Sequence, residues 1–150
     1  MRKMKMKLLS AALPLALLAC VQSAAAATIE VVKSPYCGCC TLWVDYLRRA
    51  GFEVRVVEAE DVTPTARRLG VPDDLRSCHT ATIDGYAIEG HVPAEDIRRL
   101  IAERPAAAGL AVPGMPIGSP GMEMGARRDA YDTLLVARDG GLSVFASHNR

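Results

Sequence analysis

The chain has 150 residues, of which 50% are hydrophobic, 23% charged and 5% aromatic. This composition is typical of one globular domain and excludes an intrinsically disordered or fibrous protein. Four of the 18 basic residues lie in the first seven positions, so residues 28–150 hold 14 basic and 17 acidic residues, a net charge of −3. A mildly acidic domain with few aromatic side chains lacks the features of a nucleic-acid-binding protein.

Residues 1–27 have the organisation of a secretory signal peptide. A basic start leads into an apolar run at 8–19 and then into small residues at 23–27. A membrane-spanning helix needs about 20 apolar residues, so a retained membrane anchor is the less favoured interpretation. We predict that residues 1–27 are removed and that residues 28–150 form a mature domain in an oxidising compartment, by default the bacterial periplasm.

A lipoprotein is the alternative interpretation of the same segment. Residues 17–20, Leu-Leu-Ala-Cys, resemble a bacterial lipobox, in which Cys20 becomes the lipidated N-terminus. Leu18 fits its position in that motif poorly, and the alanine run at 24–27 offers a competing cleavage site. The mature chain is expected to contact a membrane only if Cys20 is lipidated.

The first predicted elements are a strand, a helix and a second strand. Residues 28–32 are rich in β-branched side chains and predict the first strand. An apolar face at helical spacing predicts a helix that stops at Gly51, with the residues Cys40, Trp43, Val44 and Leu47. Residues 52–56 alternate between apolar and charged side chains, as in a half-buried strand.

Two more helices and a hairpin follow. Residues 63–69 predict a short helix, with proline in its first turn and glycine after its end. Residues 78–83 and 86–90 flank an Asp-Gly pair, which is a strong hairpin signal. Pro93 opens a third helix, whose acidic residues come first and whose basic residues come later, as the helix dipole favours.

This order predicts an α/β fold, a thioredoxin-like mixed sheet flanked by helices on both faces. Residues 105–129 contain nine glycines and prolines and predict a long Gly/Pro-rich loop, which in a compact domain is usually functional. Residues 131–137 and 142–146 flank Asp-Gly-Gly and predict an added C-terminal β-hairpin.

The candidate chemistry lies in four cysteines, Cys37, Cys39, Cys40 and Cys78. Cys37 is at a strand-to-helix turn, where backbone N–H groups and the helix dipole favour the thiolate. Cys37 and Cys40 form a C-x-x-C redox motif, but Cys39 adds a thiol for which a simple dithiol exchanger has no use, and this favours a soft metal ion. Cys78 precedes the third strand, which in a thioredoxin-like fold lies against the start of the first helix. The four sulfurs are therefore expected to converge.

Two structural disulfides are the alternative use of four cysteines in an oxidising compartment. Three thiols within residues 37–40 cannot all pair comfortably, because a disulfide between neighbouring cysteines is strained. A structural zinc site of the Cys₃His type is a further alternative.

Methionine and histidine residues supply additional candidate ligands. Beyond residue 6 the methionines are Met115, Met122 and Met124, all in the Gly/Pro-rich segment. Thioethers beside thiolates select Cu(I) over harder ions, although methionine also serves as adaptable packing. Imidazole suits copper and zinc, so His79, beside Cys78, is the stronger histidine candidate. His91 is a weaker one that could instead cap the next helix or be exposed, and His148 is predicted to be a solvated tail residue.

Several motifs together make the sequence similar to a known family. They are Cys37-Gly38-Cys39-Cys40 with Trp43, Gly51-Phe52, Gly70-Val71-Pro72, Ser77-Cys78-His79-Thr80-Ala81, Gly85-Tyr86, Glu89-Gly90-His91-Val92-Pro93, Gly109-Leu110-Ala111-Val112-Pro113-Gly114-Met115-Pro116 and Gly118-Ser119-Pro120-Gly121-Met122-Glu123. The chain thus resembles the CopG-like family of bacterial periplasmic metal-binding proteins, long catalogued as a domain of unknown function and associated with copper resistance.

The resemblance implies a thioredoxin-like fold, a cysteine-rich copper site that can be multinuclear, and oxidoreductase chemistry on copper. It implies that Cys37, Cys39, Cys40 and Cys78 are copper ligands. The family's Met-containing loop matches Met115 and Met122, whereas Met124 follows the shared motif.

The sequence therefore predicts two alternative functions, which belong to different classes. The first is a periplasmic copper-binding protein that holds Cu(I) in the cysteine cluster for copper resistance or homeostasis, with redox activity on copper. Its expected partners are copper ions and other periplasmic copper-handling proteins. The alternative is a thiol–disulfide oxidoreductase in which Cys37 attacks and Cys40 resolves.

We expect the mature N-terminus to lie between Ala24 and Thr28, because the alanine run follows the apolar core at cleavage distance. Intact-mass measurement of the exported protein checks this. A diacylglyceryl mass on an N-terminal Cys20 would instead establish the lipoprotein.

Overall fold

The computed structural model describes residues 27–150, so Cys20 and nearly all of the predicted signal peptide lie outside the described residues. The elements in chain order are β1 (Thr28–Lys33), α1 (Gly38–Arg49), β2 (Glu53–Glu58), α2 (Thr63–Arg68), a 3₁₀ turn (Asp73–Leu75), β3 (His79–Ile83), β4 (Tyr86–Gly90), α3 (Ala94–Glu103), β5 (Ala107–Val112), β6 (Tyr131–Ala137) and β7 (Leu142–His148). None of the described helices is long and apolar enough to cross a bilayer.

The strands form one mixed sheet in the order β2-β1-β3-β4-β5-β6-β7. The β1/β2 and β4/β5 pairs are parallel, and the other four pairs are antiparallel. Each parallel pair is connected through a helix, and the β3–β4 hairpin turns at Asp84 and Gly85, whose φ angles are both positive, as a two-residue turn of this kind requires. The prediction of a mixed α/β sheet is confirmed.

Helices cover both faces of this sheet. On one face, α1 and α3 bury large apolar side chains against β1, β3, β4 and β5, in a core that includes Trp43, Leu47, Ile97 and Leu100. On the other face, α2 and the 3₁₀ turn bury Ala66 and Leu75 in a smaller core. Strand residues alternate between the two cores, since Leu110 belongs to the first and Ala111 to the second.

The prediction of one long loop over 105–129 is wrong in its first part, because residues 107–112 form β5 in the interior of the sheet. A strand covered on both faces is apolar along its length and lacks the alternation that identifies a half-buried strand. The C-terminal hairpin is correctly placed, but β6 pairs with β5, so the hairpin extends the main sheet.

Gly109 is the point in β5 where a side chain cannot be accommodated. A Cβ there would collide with the backbone carbonyl of Ala87 on β4. We expect Gly109→Ala to lower the free energy of unfolding by about 3 kcal/mol, the upper end of the cost of overpacking, because backbone cannot move aside as a side chain can. Urea denaturation measures the change.

Gly38→Ala is the matched control. Gly38 is a helical residue with no heavy atom within 4 Å of the added Cβ, and its φ is not positive. Its substitution should leave stability unchanged or slightly raised, since alanine is the better helix former. Equal stability of the Gly109→Ala and Gly38→Ala proteins would contradict the proposed clash.

Candidate metal centre

Cys37 occupies the N-cap of α1, directly after the turn that follows β1. Its backbone is extended, with φ −90° and ψ 100°, and its Sγ accepts a hydrogen bond from the backbone N–H of Cys40 at 3.4 Å. The sulfur thus takes the place of the oxygen that usually accepts from free N–H groups at a helix start. The first turn of α1 then carries Cys39 and Cys40.

Cys78 is brought to the same place by the pairing of β3 with β1. These strands run antiparallel, and their last paired residues are Lys33 and His79. Just beyond this pair, the N–H of Ser34 donates to the carbonyl of Cys78 at 3.0 Å. The residue before β3 therefore lies beside the turn that leads into Cys37.

The four sulfurs lie within 4.8 Å of one another, so their expected convergence is confirmed. The Sγ of Cys37 is 2.8 Å from that of Cys78 and 3.2 Å from that of Cys39. The Sγ atoms of Cys40 and Cys78 are 3.2 Å apart. Cys40 is buried, whereas the other three cysteines are partly exposed. We call these four residues the cysteine cluster.

One disulfide is present among the described residues, between Cys37 and Cys40. Cys39 and Cys78 are free thiols. The structure therefore holds one disulfide and a free pair, and the alternative of two structural disulfides is wrong. Burial raises the pKa of the Cys78 thiol, and the charge of a neighbouring Cys39 thiolate adds to this effect. A metal ion that binds Cys78 must consequently displace a proton.

His79 follows Cys78 in the chain and is completely buried, but neither of its ring nitrogens belongs to the group of mutually close ligand atoms. Its Nε2–H donates to the carbonyl of Gly90 at 2.9 Å, and its ring lies 4.6 Å from that of Trp43. Burial lowers the pKa of His79 to about 3, with a smaller effect from the nearby His91, so the ring is neutral. Its Nδ1 has no hydrogen-bond partner.

His91 is fully buried, so the idea that it is exposed is wrong. Its Nδ1–H donates to the carbonyl of Pro120 at 2.8 Å, and its Nε2 has no partner. The rings of His79 and His91 are 5.1 Å apart and nearly perpendicular. Burial also lowers the pKa of His91, so both rings offer a bare nitrogen lone pair. An unpartnered lone pair in the interior is costly unless something binds it, so both nitrogens are candidate donors, outside the group of mutually close sulfurs.

The methionines occupy the segment that lies against the start of α1. At Gly121, whose φ is 83°, a Cβ would lie 2.7 Å from the backbone nitrogen of Trp43 and 3.0 Å from the carbonyl oxygen of Cys39. Only glycine allows this approach. The adjacent Met122 is partly buried, whereas Met115 and Met124 are exposed.

The prediction that His148 is a solvated tail residue is wrong. Its side chain is only 16% exposed, because it stacks on Tyr131 and its Nε2 lies 2.9 Å from the carboxylate of Asp96. Thr133 donates to the same carboxylate at 2.6 Å. This contact joins the last strand to α3 and does not involve the cysteine cluster.

Glu89 is a buried carboxylate to which the sequence alone assigns no role. It accepts hydrogen bonds from Ser77 and Thr80, the residues on either side of Cys78 and His79. The available signal was weak: a glutamate in an otherwise apolar strand, with a threonine in the facing strand and a serine just before that strand.

The fold and the site define a mixed α/β protein with a four-cysteine cluster, suited to a soft metal ion, at the start of its first helix. A family model described as a protein of unknown function, DUF411, matches residues 75–122. A solved structure of copper resistance protein CopG, form 1, is 48% identical with a TM-score of 0.77, and the match covers 82% of this chain and 98% of that one. Form 2 is 46% identical with a TM-score of 0.79, at coverages of 83% and 100%.

The chain therefore belongs to the CopG family. Among curated proteins none matches the sequence.

His79 should remain neutral well into the acid range in the reduced, metal-free protein. An unfolded histidine gains its proton as the pH falls through about 6.5, whereas folded His79 gains it only near pH 3. The free energy of unfolding should thus fall as the pH is lowered from about 6.5 to about 3, by up to about 1.4 kcal/mol per pH unit from this group.

Nitrogen NMR of the imidazoles measures this titration directly. The urea-unfolded chain serves as the control, in which every histidine should titrate near its ordinary pKa. Titration of His79 above pH 6 in the folded protein would show that its ring is hydrated rather than buried.

Proposed function

We propose that this protein binds Cu(I) through Cys37, Cys39, Cys40 and Cys78 and serves copper resistance or homeostasis in the periplasm. The observation that carries this proposal is the convergence of four sulfurs within 4.8 Å. Thiolates are the ligands that Cu(I) prefers. The proposal is supported by the family relationship, since the solved relatives are named copper resistance proteins.

Other side chains are proposed to complete the copper site. The bare Nδ1 of His79, which follows Cys78 in the chain, is a neutral donor. Met115 and Met122 belong to the segment whose Gly121 contacts the backbone of Cys39, so a thioether can approach from that side. Bound copper supplies a Cu(I)/Cu(II) couple, which is the chemistry behind the proposed redox activity.

The four cysteines can all act as thiolates only after the disulfide is reduced and the thiols lose their protons. Reduction of the Cys37–Cys40 disulfide by a dithiol reductant takes two electrons and releases both sulfurs, while the reductant becomes a disulfide. The Cys78 thiol must then lose its proton, which burial disfavours. The N–H groups at the start of α1 favour the negative charge that results at Cys37.

The domain is proposed to be thioredoxin-like over residues 28–150. In support, β2-β1-β3-β4 is a four-strand unit with a parallel first pair and an antiparallel β3. The helix between β1 and β2 begins at the C-x-x-C motif. We also propose that residues 1–27 direct export of the protein. The alternative is a lipid anchor at Cys20.

A thiol–disulfide oxidoreductase is the second candidate, favoured by the Cys37–Cys40 disulfide itself. In this reaction the Cys37 thiolate attacks one sulfur of a substrate disulfide and forms a mixed disulfide, and the other substrate sulfur leaves as a thiolate. Cys40 then attacks the Sγ of Cys37, which releases the second substrate thiolate and leaves the Cys37–Cys40 disulfide.

Cys39 separates the two candidates, because copper binding uses its sulfur and disulfide exchange does not. We expect Cys39→Ala to weaken Cu(I) binding at least about tenfold, since a lost direct ligand should cost no less than a lost supporting contact. Reduction of a model disulfide should persist. Cys78→Ser should likewise weaken Cu(I) binding. Competition with a coloured Cu(I) chelator under anaerobic conditions gives the affinities.

Thr41→Ala, an exposed substitution in the same turn of α1, is the control for changes in the helix. It should bind Cu(I) like the wild-type protein. If Cys39→Ala also binds like the wild type, while Cys37→Ala alone abolishes disulfide reduction, the oxidoreductase replaces the copper protein.

A further inference from the structure

We propose that Glu89 is the positioning residue that holds Cys78 in the cysteine cluster. Glu89 lies in β4, next to β3, and is completely buried. The inference deepens the copper-binding proposal and rests on it for the role of Cys78, while the geometry of the hydrogen bonds stands by itself.

Three hydrogen bonds fix the segment around Cys78 to the Glu89 carboxylate. Oε1 accepts from the backbone N–H of Ser77 at 2.5 Å and from the Ser77 hydroxyl at 2.7 Å. Oε2 accepts from the Thr80 hydroxyl at 2.6 Å. The donors lie on both sides of Cys78, so the carboxylate holds this short segment at its two ends.

Cys78 needs such support because it precedes β3 and lies outside the regular ladder of β3 with its neighbours. Ser77 also precedes β3, and its backbone N–H donates to the Glu89 carboxylate. Together with the bond from Ser34 to the Cys78 carbonyl, this contact determines the position of the Cys78 backbone.

Glu89 does not contact the side chain of His79, because the two side chains lie on opposite faces of β3. Thr80 is the cross-strand neighbour of Glu89 in the β3/β4 register, and their side chains share a face. His79, one residue earlier, points to the opposite face and contacts Trp43. The bonds of Glu89 end on residues 77 and 80, so its influence reaches the sulfur through the backbone.

A carboxylate is a costly choice for this position. Burial raises the pKa of Glu89, and the hydrogen bonds from Thr80 and Ser77 oppose that effect. An apolar residue would avoid the cost of burying the charge but would leave the Ser77 N–H and the Thr80 hydroxyl without their acceptor, whereas the Ser77 hydroxyl could still donate to the carbonyl of His79 at 2.7 Å. Mutation of a residue that orients a metal ligand typically lowers the affinity for the metal about 10- to 100-fold.

The first test measures Cu(I) affinity of the reduced mature protein by competition with a coloured chelator. Glu89→Ala should bind Cu(I) about 10- to 100-fold more weakly. Glu89→Gln should lose less, because its carbonyl oxygen can still accept from Ser77. In the Cys78→Ser background, Glu89→Ala should cause less than about a twofold further loss, since the residue it positions is gone.

Asp96→Asn is the matched control. Asp96 is also a buried carboxylate that accepts from a threonine hydroxyl, yet it bonds to Thr133 and His148 rather than to residues 77–80. Its substitution should lower stability and leave Cu(I) affinity unchanged. An equal loss of affinity from Glu89→Ala with and without Cys78 would overturn the proposal, because a general loss of stability acts in both backgrounds.

A second test needs no copper and therefore separates this inference from the proposed function. In a Cys39→Ala/Cys40→Ala protein, the 2.8 Å separation of the Cys37 and Cys78 sulfurs should allow rapid disulfide formation with diamide. Adding Glu89→Ala should slow that reaction at least about tenfold, as positioned groups react faster than mobile ones. Ser77→Ala and Thr80→Val should slow it partially if Glu89→Ala fails to fold.

An unchanged rate of disulfide formation would refute the positioning role even if copper affinity falls. If the wild-type protein binds no Cu(I) but Glu89→Ala slows disulfide formation, the proposed function fails and the positioning role of Glu89 stands.

Discussion

The antiparallel pairing of β1 with β3 is the constraint on which the cysteine cluster depends. It brings together two segments that are 41 residues apart at Cys37 and Cys78. The bond from Ser34 to Cys78 closes the ladder at the point where the chain turns into α1. Because β1 leads into the start of α1 and β3 begins just after Cys78, this pairing places the fourth sulfur beside the other three.

Burial then determines the charge of the groups around the sulfurs. It keeps His79 neutral, with its pKa lowered to about 3, and it raises the pKa of Cys78. Thiolates and neutral imidazoles are the forms that bind metal ions. The interior thus holds two neutral imidazoles, whereas the buried Cys78 thiol would have to lose its proton before it could bind a metal ion. Four sulfurs at this spacing suit a thiophilic ion better than a hard one.

Local patterns in the sequence predict most of the elements and the composition of the candidate site. The C-x-x-C motif, the apolar face of α1 and the two Asp-Gly turns each depend on residues close together in the chain. The sequence does not predict strand β5, because that strand is covered on both faces and contains Gly109, so it shows no alternation and has Val112 as its single β-branched residue.

The surroundings of the site were not predictable in the same way. The ring of His91 donates a hydrogen bond to the carbonyl of Pro120, and the carboxylate of Glu89 accepts one from the N–H of Ser77. The surroundings of each side chain therefore depend on a residue that lies elsewhere in the chain. His148 shows the same effect, because its partner Asp96 lies 52 residues earlier in α3. Which side chains meet in this way depends on the order of the strands in the sheet. Local patterns in the sequence do not determine that order.

Three of the four cysteines are close together in the sequence, and the fourth is distant. A site that needs all four sulfurs therefore exists only in the folded domain. Residues 37–40 keep their three sulfurs close even in a disordered chain, since closing such a short loop costs little entropy. The fourth donor joins only when the β1–β3 ladder exists. An ion bound by four sulfurs in the native state and by three in the unfolded chain would therefore stabilise the fold by RT times the logarithm of the ratio of the two affinities, so that the stability of the domain would rise with the supply of the ion.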